Sequence, residues 1–239
     1  MNILAIDTAT EACSAALYLG DASTGNKVTS TYQLAPRQHS RLILKMIDDL
    51  LKAKGLAVID LDAIAFGRGP GSFMGLRIAA GVVQGIAFSH DIPVIPLSTL
   101  KVIAVRAYQE TQNENILVAI DARMDEVYWA AYTLQVNQWL LVGEEQVISP
   151  DKIQLPDVLV NKEKAWIGAG TGWGAYADRL LSNADIVVQN MLPDCLPAAD
   201  IMVQMAVQEF ADGNTVTAAE AIPIYLRNDV AKKPKPVVF

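Results

Sequence analysis

A glycine-rich segment between residues 66 and 77 is the strongest candidate for a functional loop. It reads Phe66-Gly67-Arg68-Gly69-Pro70-Gly71-Ser72-Phe73-Met74-Gly75-Leu76-Arg77. Glycines allow tight turns and free amide groups at a helix start, which suits an anion or a closely approaching backbone. Arg68 and Arg77 could hold a carboxylate or phosphate there, or pair with Asp60 or Asp62 instead. The alternative is a strand-to-helix turn without a ligand, in which Ser72 is the helix N-cap.

Two aspartates each close an apolar segment, Ile3 to Asp7 and Ile116 to Asp121. The residues that follow Asp7 stand where an actin-like ATPase places its first phosphate loop, but they include no glycine. Such loops need small flexible residues so that backbone amides can reach phosphate. Asp7 is therefore expected to be a structural or turn-capping carboxylate rather than a metal ligand, and Asp121 has the same two interpretations.

Other signatures of catalysis are weak or missing. His39 and His90 are the only histidines, and neither has a second His or Cys at ligand spacing, so no metal site is predicted. His39 is expected to cap a helix. The alternating glycines 168, 170, 172 and 174 resemble a nucleotide-cradling stretch, which is weak evidence alone. No nucleophile–base pair and no Walker-type loop stands out, which indicates a nucleotide-handling fold without its catalytic parts.

Composition sets limits on the class of protein. The 239 residues are 52% hydrophobic and 19% charged, which supports a large core, and the net charge of −7 suits a nucleic-acid backbone poorly. Cys13 and Cys195 lie far apart and predict free thiols in a reducing compartment. The start of the chain lacks the features of a signal peptide, and no apolar segment is long enough to span a bilayer. The sequence predicts a cytoplasmic protein that does not enter a membrane.

A weak internal sequence repeat predicts how the candidate residues are positioned. Each Ile-Asp segment is followed by a turn and a returning apolar segment, which predicts two β-hairpins about half a chain apart. This repeat predicts that one α/β unit has been duplicated. The first copy is the N-terminal subdomain over 1–105, which is expected to carry a partner interface. The C-terminal subdomain with its tail then covers 106–239, and a helix near 199–210 is expected to pack back on the first subdomain.

Two predicted helices are apolar over more than one face. In the segment 38–54 the positions 43, 47, 50 and 51 form an apolar stripe that Leu42, Leu44 and Met46 widen. The segment 76–88 is apolar almost all round. A helix of this second kind must be buried on every side, either inside the core or against a second protein. The interface interpretation assigns these positions to partner contact: Leu42, Met46, Leu50, Ile78, Gly81, Val82 and Gly85.

Five motifs, in order along nearly the whole chain, resemble the TsaB (YeaZ) family. They are the Ile3–Glu11 start, His39-Ser40-Arg41, the glycine-rich loop, Asp121-Ala122-Arg123-Met124 and Pro223-Ile224-Tyr225-Leu226-Arg227. Met74 departs from the threonine usual in that family. The resemblance implies an α/β actin-like ATPase (ASKHA, RNase H-like) fold with two duplicated subdomains and mixed sheets.

The resemblance also implies a function. TsaB-like proteins are non-catalytic, required partners of the threonylcarbamoyltransferase TsaD, together with the ATPase TsaE. The complex forms N6-threonylcarbamoyladenosine at position 37 of tRNAs that read ANN codons. The resemblance implies that the chain forms a heterodimer through the two apolar helices, with a homodimer as the other arrangement. It also implies that tRNA is contacted only through the complex, and that ATP or ADP binds at most at the partner interface. The competing hypothesis is an autonomous actin-like ATPase or small-molecule kinase.

Overall fold

Two five-stranded mixed sheets, one in each half of the chain, organise the structure. The structure is a computed structural model, and it describes residues 1–21, 25–154, 165–182 and 187–227. The end of the tail assigned to the second subdomain lies outside these residues. Within the described ranges, no helix is long and apolar enough to cross a membrane.

The first sheet has the strand order β3-β2-β1-β4-β5. Its strands are β1 (Asn2–Asp7), β2 (Ala12–Asp21), β3 (Gly25–Leu34), β4 (Ala63–Gly69) and β5 (Val94–Ser98). β1 pairs antiparallel with β2 and parallel with β4, so this apolar strand lies at the centre of the sheet. Its residues alternate between two cores, because successive side chains of a strand point to opposite faces.

The second sheet repeats this arrangement with the order β10-β9-β6-β7-β8. Its strands are β6 (Asn115–Asp121), β7 (Val127–Gln135), β8 (Gln138–Ile148), β9 (Ala165–Ala169) and β10 (Val187–Leu192). β6 pairs antiparallel with β7 and parallel with β9, as β1 does with its own neighbours. The predicted hairpins and the duplication are confirmed, and the shared topology is that of the actin-like, RNase H-like fold.

Within the described residues, five α-helices cover the sheets. They are α1 (His39–Ala53), α2 (Phe73–Phe88), α3 (Thr99–Thr111), α4 (Thr171–Ser182) and α5 (Ala199–Ala211). Side chains of α1 and α2 share one core with Leu4 and Ile6 of β1. Side chains of α5 share the core on the opposite face with Ile3 and Ala5, so a helix of the second half completes the first.

A segment after α5 returns to the first sheet. Val216 pairs with Val94 at the sheet edge, and the residues that follow run beside α2. We call Ala221–Arg227 the strap. Its first residue is buried in the core with α2, and Arg227 at its end contacts the turn after β6.

Candidate functional site

The glycine-rich loop packs against the turn that follows β1. A Cβ atom on Gly71 would lie 2.5 Å from the Ala9 carbonyl oxygen, and one on Gly75 would lie 1.9 Å from the Thr8 carbonyl oxygen. Thr8 Oγ1 donates a hydrogen bond to the Gly75 carbonyl oxygen at 2.6 Å, and the Ser72 amide donates to the Ala9 carbonyl oxygen at 2.7 Å. These two glycines are required by the close approach of another backbone, which was one of the two predicted uses.

Ser72 begins α2. Its Oγ accepts a hydrogen bond from the Gly75 amide at 3.3 Å, as predicted for an N-cap. α2 therefore starts at Phe73, three residues before the predicted start at residue 76. Met74, the departure from the family pattern, is exposed and takes no part in this cap.

Asp7 lies behind the loop and is fully buried. Its Oδ1 accepts a hydrogen bond from the Ala9 amide at 3.0 Å, the turn-capping contact that was expected. Its Oδ2 has no hydrogen-bond partner within the described ranges, and neither does the nearby Thr99 Oγ1. Burial raises the pKa of this carboxyl group to about 7, because a charged group loses its hydration there. The absence of a side chain at Gly67 makes space for this carboxyl group, since a Cβ on Gly67 would lie 2.1 Å from Oδ2.

Arg68 joins the loop to the second sheet. Its Nη2 lies 3.8 Å from Glu145 Oε2 on β8, and Glu145 also accepts a hydrogen bond from the Tyr132 hydroxyl at 2.7 Å. The alternative partners were wrong, because Asp60 accepts from the Ala57 amide and Asp62 from the Asn2 amide. Arg68 therefore links the glycine-rich loop to the second sheet, and its role toward a ligand stays a prediction.

Gly69 carries the strap. Its φ of 107° lies in the region that favours glycine, and a Cβ on it would lie 2.8 Å from the Ile224 carbonyl oxygen. The Ile224 amide donates to the Arg68 carbonyl oxygen at 2.8 Å. The loop is thus enclosed between the β1–β2 turn and the strap.

Arg77 also contacts side chains of its own chain. Its guanidinium carbon lies 3.7 Å from the centre of the Phe73 ring, and its Nε donates to the Tyr225 hydroxyl at 3.3 Å. The rings of Phe73 and Tyr225 are 5.3 Å apart. Arg77 is thus oriented by an aromatic contact and a hydroxyl group, and it does not pair with Asp60 or Asp62.

A cleft of about 980 Å³ opens between the two hairpin turns. The start of α2 and the side chains of Arg37, Arg123 and Arg227 line it. Two of these cations are compensated locally: Arg123 Nη1 lies 2.9 Å from Asp121 Oδ2, and Arg227 Nη2 pairs with Glu126 at 2.5 Å. Asp121, one of the two candidate aspartates, therefore forms an ion pair with Arg123 at the edge of this cleft.

The outer face of α2 is open. Gly81 and Gly85 are exposed, and a Cβ on either would meet nothing within 4 Å. Ile78 and Val82 are half-buried beside them, whereas the opposite face of the helix packs in the core. Of the two interpretations of this helix, burial inside the core is wrong, because its outer side is exposed in the isolated chain, whereas burial against a second protein stays a prediction.

The predicted contact residues of α1 divide into two groups. Met46 and Leu50 are only 7% and 6% exposed and pack in the first core, so they offer no surface to a partner. Leu42 is half-buried. Leu44, on the outer side of α1, is 56% exposed. The stripe that the sequence placed at an interface is therefore partly the core stripe of the helix.

The remaining candidates have packing roles. Gly168 leaves space for the Trp173 ring, because a Cβ on it would lie 2.5 Å from that ring, and Gly170 and Gly172 lie against Ala119. His39 is not a cap: Gln38 holds the N-cap position, and His39 Nε2 lies 3.1 Å from the Ala12 carbonyl oxygen. Across the described ranges, no three His, Cys, Asp or Glu side chains group as metal ligands.

Sequence reasoning missed Glu145 and the contact made by Tyr225. Glu145 lies on β8, far along the chain from Arg68, and nothing in its neighbours indicates the ion pair. Tyr225 belongs to a motif that the family resemblance had identified, but only the structure places it against α2. Long-range contacts of this kind leave no local pattern.

The chain is similar to known proteins over nearly its whole length. Residues 26–231 match the family model "TsaD: tRNA N6-adenosine threonylcarbamoyltransferase". The tRNA threonylcarbamoyladenosine biosynthesis protein TsaB of Escherichia coli (strain K12) is 42% identical over 99% of both chains. The TsaB protein of Haemophilus influenzae is 41% identical over 99% of this chain and 98% of its own. The structure of YeaZ from Pseudomonas aeruginosa superposes with a TM-score of 0.83 at 43% identity, covering 94% of this chain and 99% of that one.

Proposed function

The chain belongs to the TsaB family, and on that premise we propose that it acts in the formation of N6-threonylcarbamoyladenosine in tRNA. In this proposal it is a required, non-catalytic subunit that binds a TsaD-like threonylcarbamoyltransferase, here called the transferase paralogue. A TsaE-like ATPase joins them, tRNA is bound only through the complex, and the modified adenosine is formed at position 37 of tRNAs that read ANN codons.

The open face of α2 is the observation that carries this proposal. Exposed glycines four residues apart let another helix approach closely, and an uncovered apolar helix face is typical of a protein interface. The match to a model named for the transferase indicates that this chain and the transferase are homologous. Homologous chains can pair through equivalent faces, as the subunits of a homodimer do. A homodimer through the same face is the competing arrangement.

The surroundings of Asp7 favour a subunit without its own phosphoryl-transfer chemistry. This carboxyl group is fully buried and faces Gly67, and the turn that an ATPase would use as its first phosphate loop, with Thr8 and Ala9, is packed against the glycine-rich loop. A group that acts on phosphate or a phosphate-bound metal must reach the cleft. The autonomous ATPase or kinase hypothesis is therefore less well supported.

Reconstitution tests the proposal. Purified transferase paralogue, TsaE-like ATPase and the enzyme that supplies the threonylcarbamoyl adenylate are combined with tRNA, with or without this chain. We expect product only when the chain is present, and no ATP hydrolysis by the chain alone. Full product without the chain would overturn the proposal, and ATP hydrolysis that Asp7→Ala abolishes would favour the alternative.

A variant of the open face locates the contact. Gly81→Leu adds a side chain where nothing lies within 4 Å, so the chain should fold normally but no longer admit a close helix. We expect lost binding to the transferase paralogue and an unchanged unfolding midpoint. Ala175→Leu, at an exposed position of α4, is the matched control and should bind normally. Unfolding of Gly81→Leu would instead indicate that this position is part of the core.

A further inference from the structure

Three exposed side chains form a cluster where the strap crosses the start of α2. We call Phe73, Arg77 and Tyr225 the aromatic–arginine cluster. Phe73 is 45% exposed and Tyr225 is 41% exposed, although the two rings and the guanidinium group contact one another. Aromatic and arginine side chains that stay accessible in such a cluster are the types enriched at binding hot spots.

Attachment of the strap does not account for this cluster. The strap is already held by Gln84 Nε2, which donates to the Ala221 carbonyl oxygen at 3.1 Å, and by the Ile224 amide, which donates to the Arg68 carbonyl oxygen at 2.8 Å. The Gln84 contact is partly buried, whereas the contact between Arg77 and Tyr225 is exposed. The exposed rings and the guanidinium group are therefore available for another role.

The cluster is continuous with the open face of α2. Phe73, Arg77, Gly81 and Gly85 follow one another at four-residue spacing, and all four are exposed. Residues at this spacing form one ridge along a helix, so a partner helix that packs over the two glycines must also pass the two larger side chains. The glycines would set the distance of approach, and the cluster would meet the end of that contact.

We propose that the aromatic–arginine cluster is the specificity-determining end of the surface that binds the transferase paralogue, and that Arg77 receives a carboxylate of that partner. This inference rests on the proposed function. Arg77 Nη1 and Nη2 make no hydrogen bond within the described ranges, whereas Nε is held by Tyr225. Covering a guanidinium group without an acceptor is costly, and a carboxylate matches its two free donors.

The contacts within the cluster would prepare Arg77 for this role. Stacking on Phe73 and the hydrogen bond from Nε to the Tyr225 hydroxyl limit the side chain before any partner arrives. An arginine fixed in advance loses less conformational entropy on binding than a free one. Tyr225 is therefore a positioning residue, because it acts through Arg77.

Binding measurements with variants of the full chain test the proposal. Affinity for the purified transferase paralogue is measured by calorimetry at low and high salt, and folding is checked by thermal unfolding. The variants are Arg77→Ala, Arg77→Lys and Tyr225→Phe. The matched control is Tyr32→Phe, an exposed tyrosine 42% accessible that also faces an arginine, at 5.6 Å, but on β3.

We expect Arg77→Ala to weaken binding by about tenfold or more, as hot-spot truncations do, and to reduce the salt dependence of the affinity. Arg77→Lys keeps the charge but not the planar fork, so its loss should be intermediate. Tyr225→Phe should weaken binding by a smaller factor, and Tyr32→Phe should not change it.

The proposed function and the role of the aromatic–arginine cluster are overturned by different results. If the wild-type chain does not bind the transferase paralogue, the proposed function is overturned and this inference with it. If the wild type binds and Gly81→Leu does not, but Arg77→Ala and Tyr225→Phe bind like the wild type, only the role of the cluster is overturned. Equal losses in Tyr32→Phe would likewise contradict a specific role for Tyr225.

Discussion

Replacing the buried Asp7 by asparagine should stabilise the protein at neutral and alkaline pH. The side chain keeps its shape, and its Oδ1 can still accept from the Ala9 amide, but it can no longer ionise. In the folded chain the pKa of Asp7 is about 7, against 3.8 for an ordinary aspartate. The folded state therefore holds a proton that the unfolded state has already released between these two values.

The magnitude follows from that difference in pKa. Because the folded pKa is raised, stability is highest at low pH and falls as the pH rises from about 4 to about 7, by about 1.4 kcal/mol for each pH unit. The full penalty approaches about 4 kcal/mol above that window. Asp7→Asn escapes it, so its advantage over the wild type should be small near pH 4 and should grow to a few kcal/mol at pH 8.

Urea unfolding followed by tryptophan fluorescence measures both proteins between pH 4 and pH 8. The control is Ser72→Ala, which removes an N-cap hydroxyl that does not titrate, so its difference from the wild type should not vary with pH. Parallel pH profiles for Asp7→Asn and the wild type would refute the reasoning, because they would mean that Asp7 is ionised at no extra cost in the folded chain.

Substitutions of Gly75, Ser72 and Glu145 test the loop, the cap and the link between the sheets. Gly75→Ala should lower the unfolding free energy by several kcal/mol, since its Cβ would meet a carbonyl oxygen at 1.9 Å; Gly81→Ala, in open space within the same helix, should raise it by about 0.5 to 1 kcal/mol. Ser72→Ala removes the N-cap and should cost about 1 kcal/mol in the same urea assay, and an unchanged midpoint would contradict the cap. Glu145→Ala leaves its donors unpaired and should cost about 2 to 3 kcal/mol, with Glu145→Gln losing less because it still accepts the hydrogen bond; equal losses would contradict this, since they would mean that the carboxylate charge, which both variants lack, accounts for the whole effect.

Local patterns predicted much of this fold. The two Ile-Asp strands, their hairpins and the N-cap at Ser72 could be predicted because each depends on neighbours in the chain. The duplication was visible for the same reason, since each half repeats one short motif. Helix periodicity was less reliable at Met46 and Leu50, because an apolar stripe has the same pattern whether it meets the core or a partner.

The loop was harder to predict than the strands. Its glycines indicated either an anion or a close backbone, and only the position of Thr8 and Ala9 decides between them. The partner of Arg68 lies on β8 of the other sheet, and no local spacing could identify it. Contacts that join distant segments depend on the complete topology, whereas capping and pairing depend on a few residues.

The return of α5 to the first sheet has a consequence for synthesis on the ribosome. α3 covers only part of one face of that sheet, so the rest of this face stays uncovered until Ala199–Ala211 has been made, and the strap arrives later still. The nascent first half would expose the apolar side chains of Ile3 and Ala5 while the second half is translated. Such exposed surface is prone to aggregation and is what chaperones bind. Folding of the N-terminal half should therefore be completed late, when nearly the whole chain has left the exit tunnel.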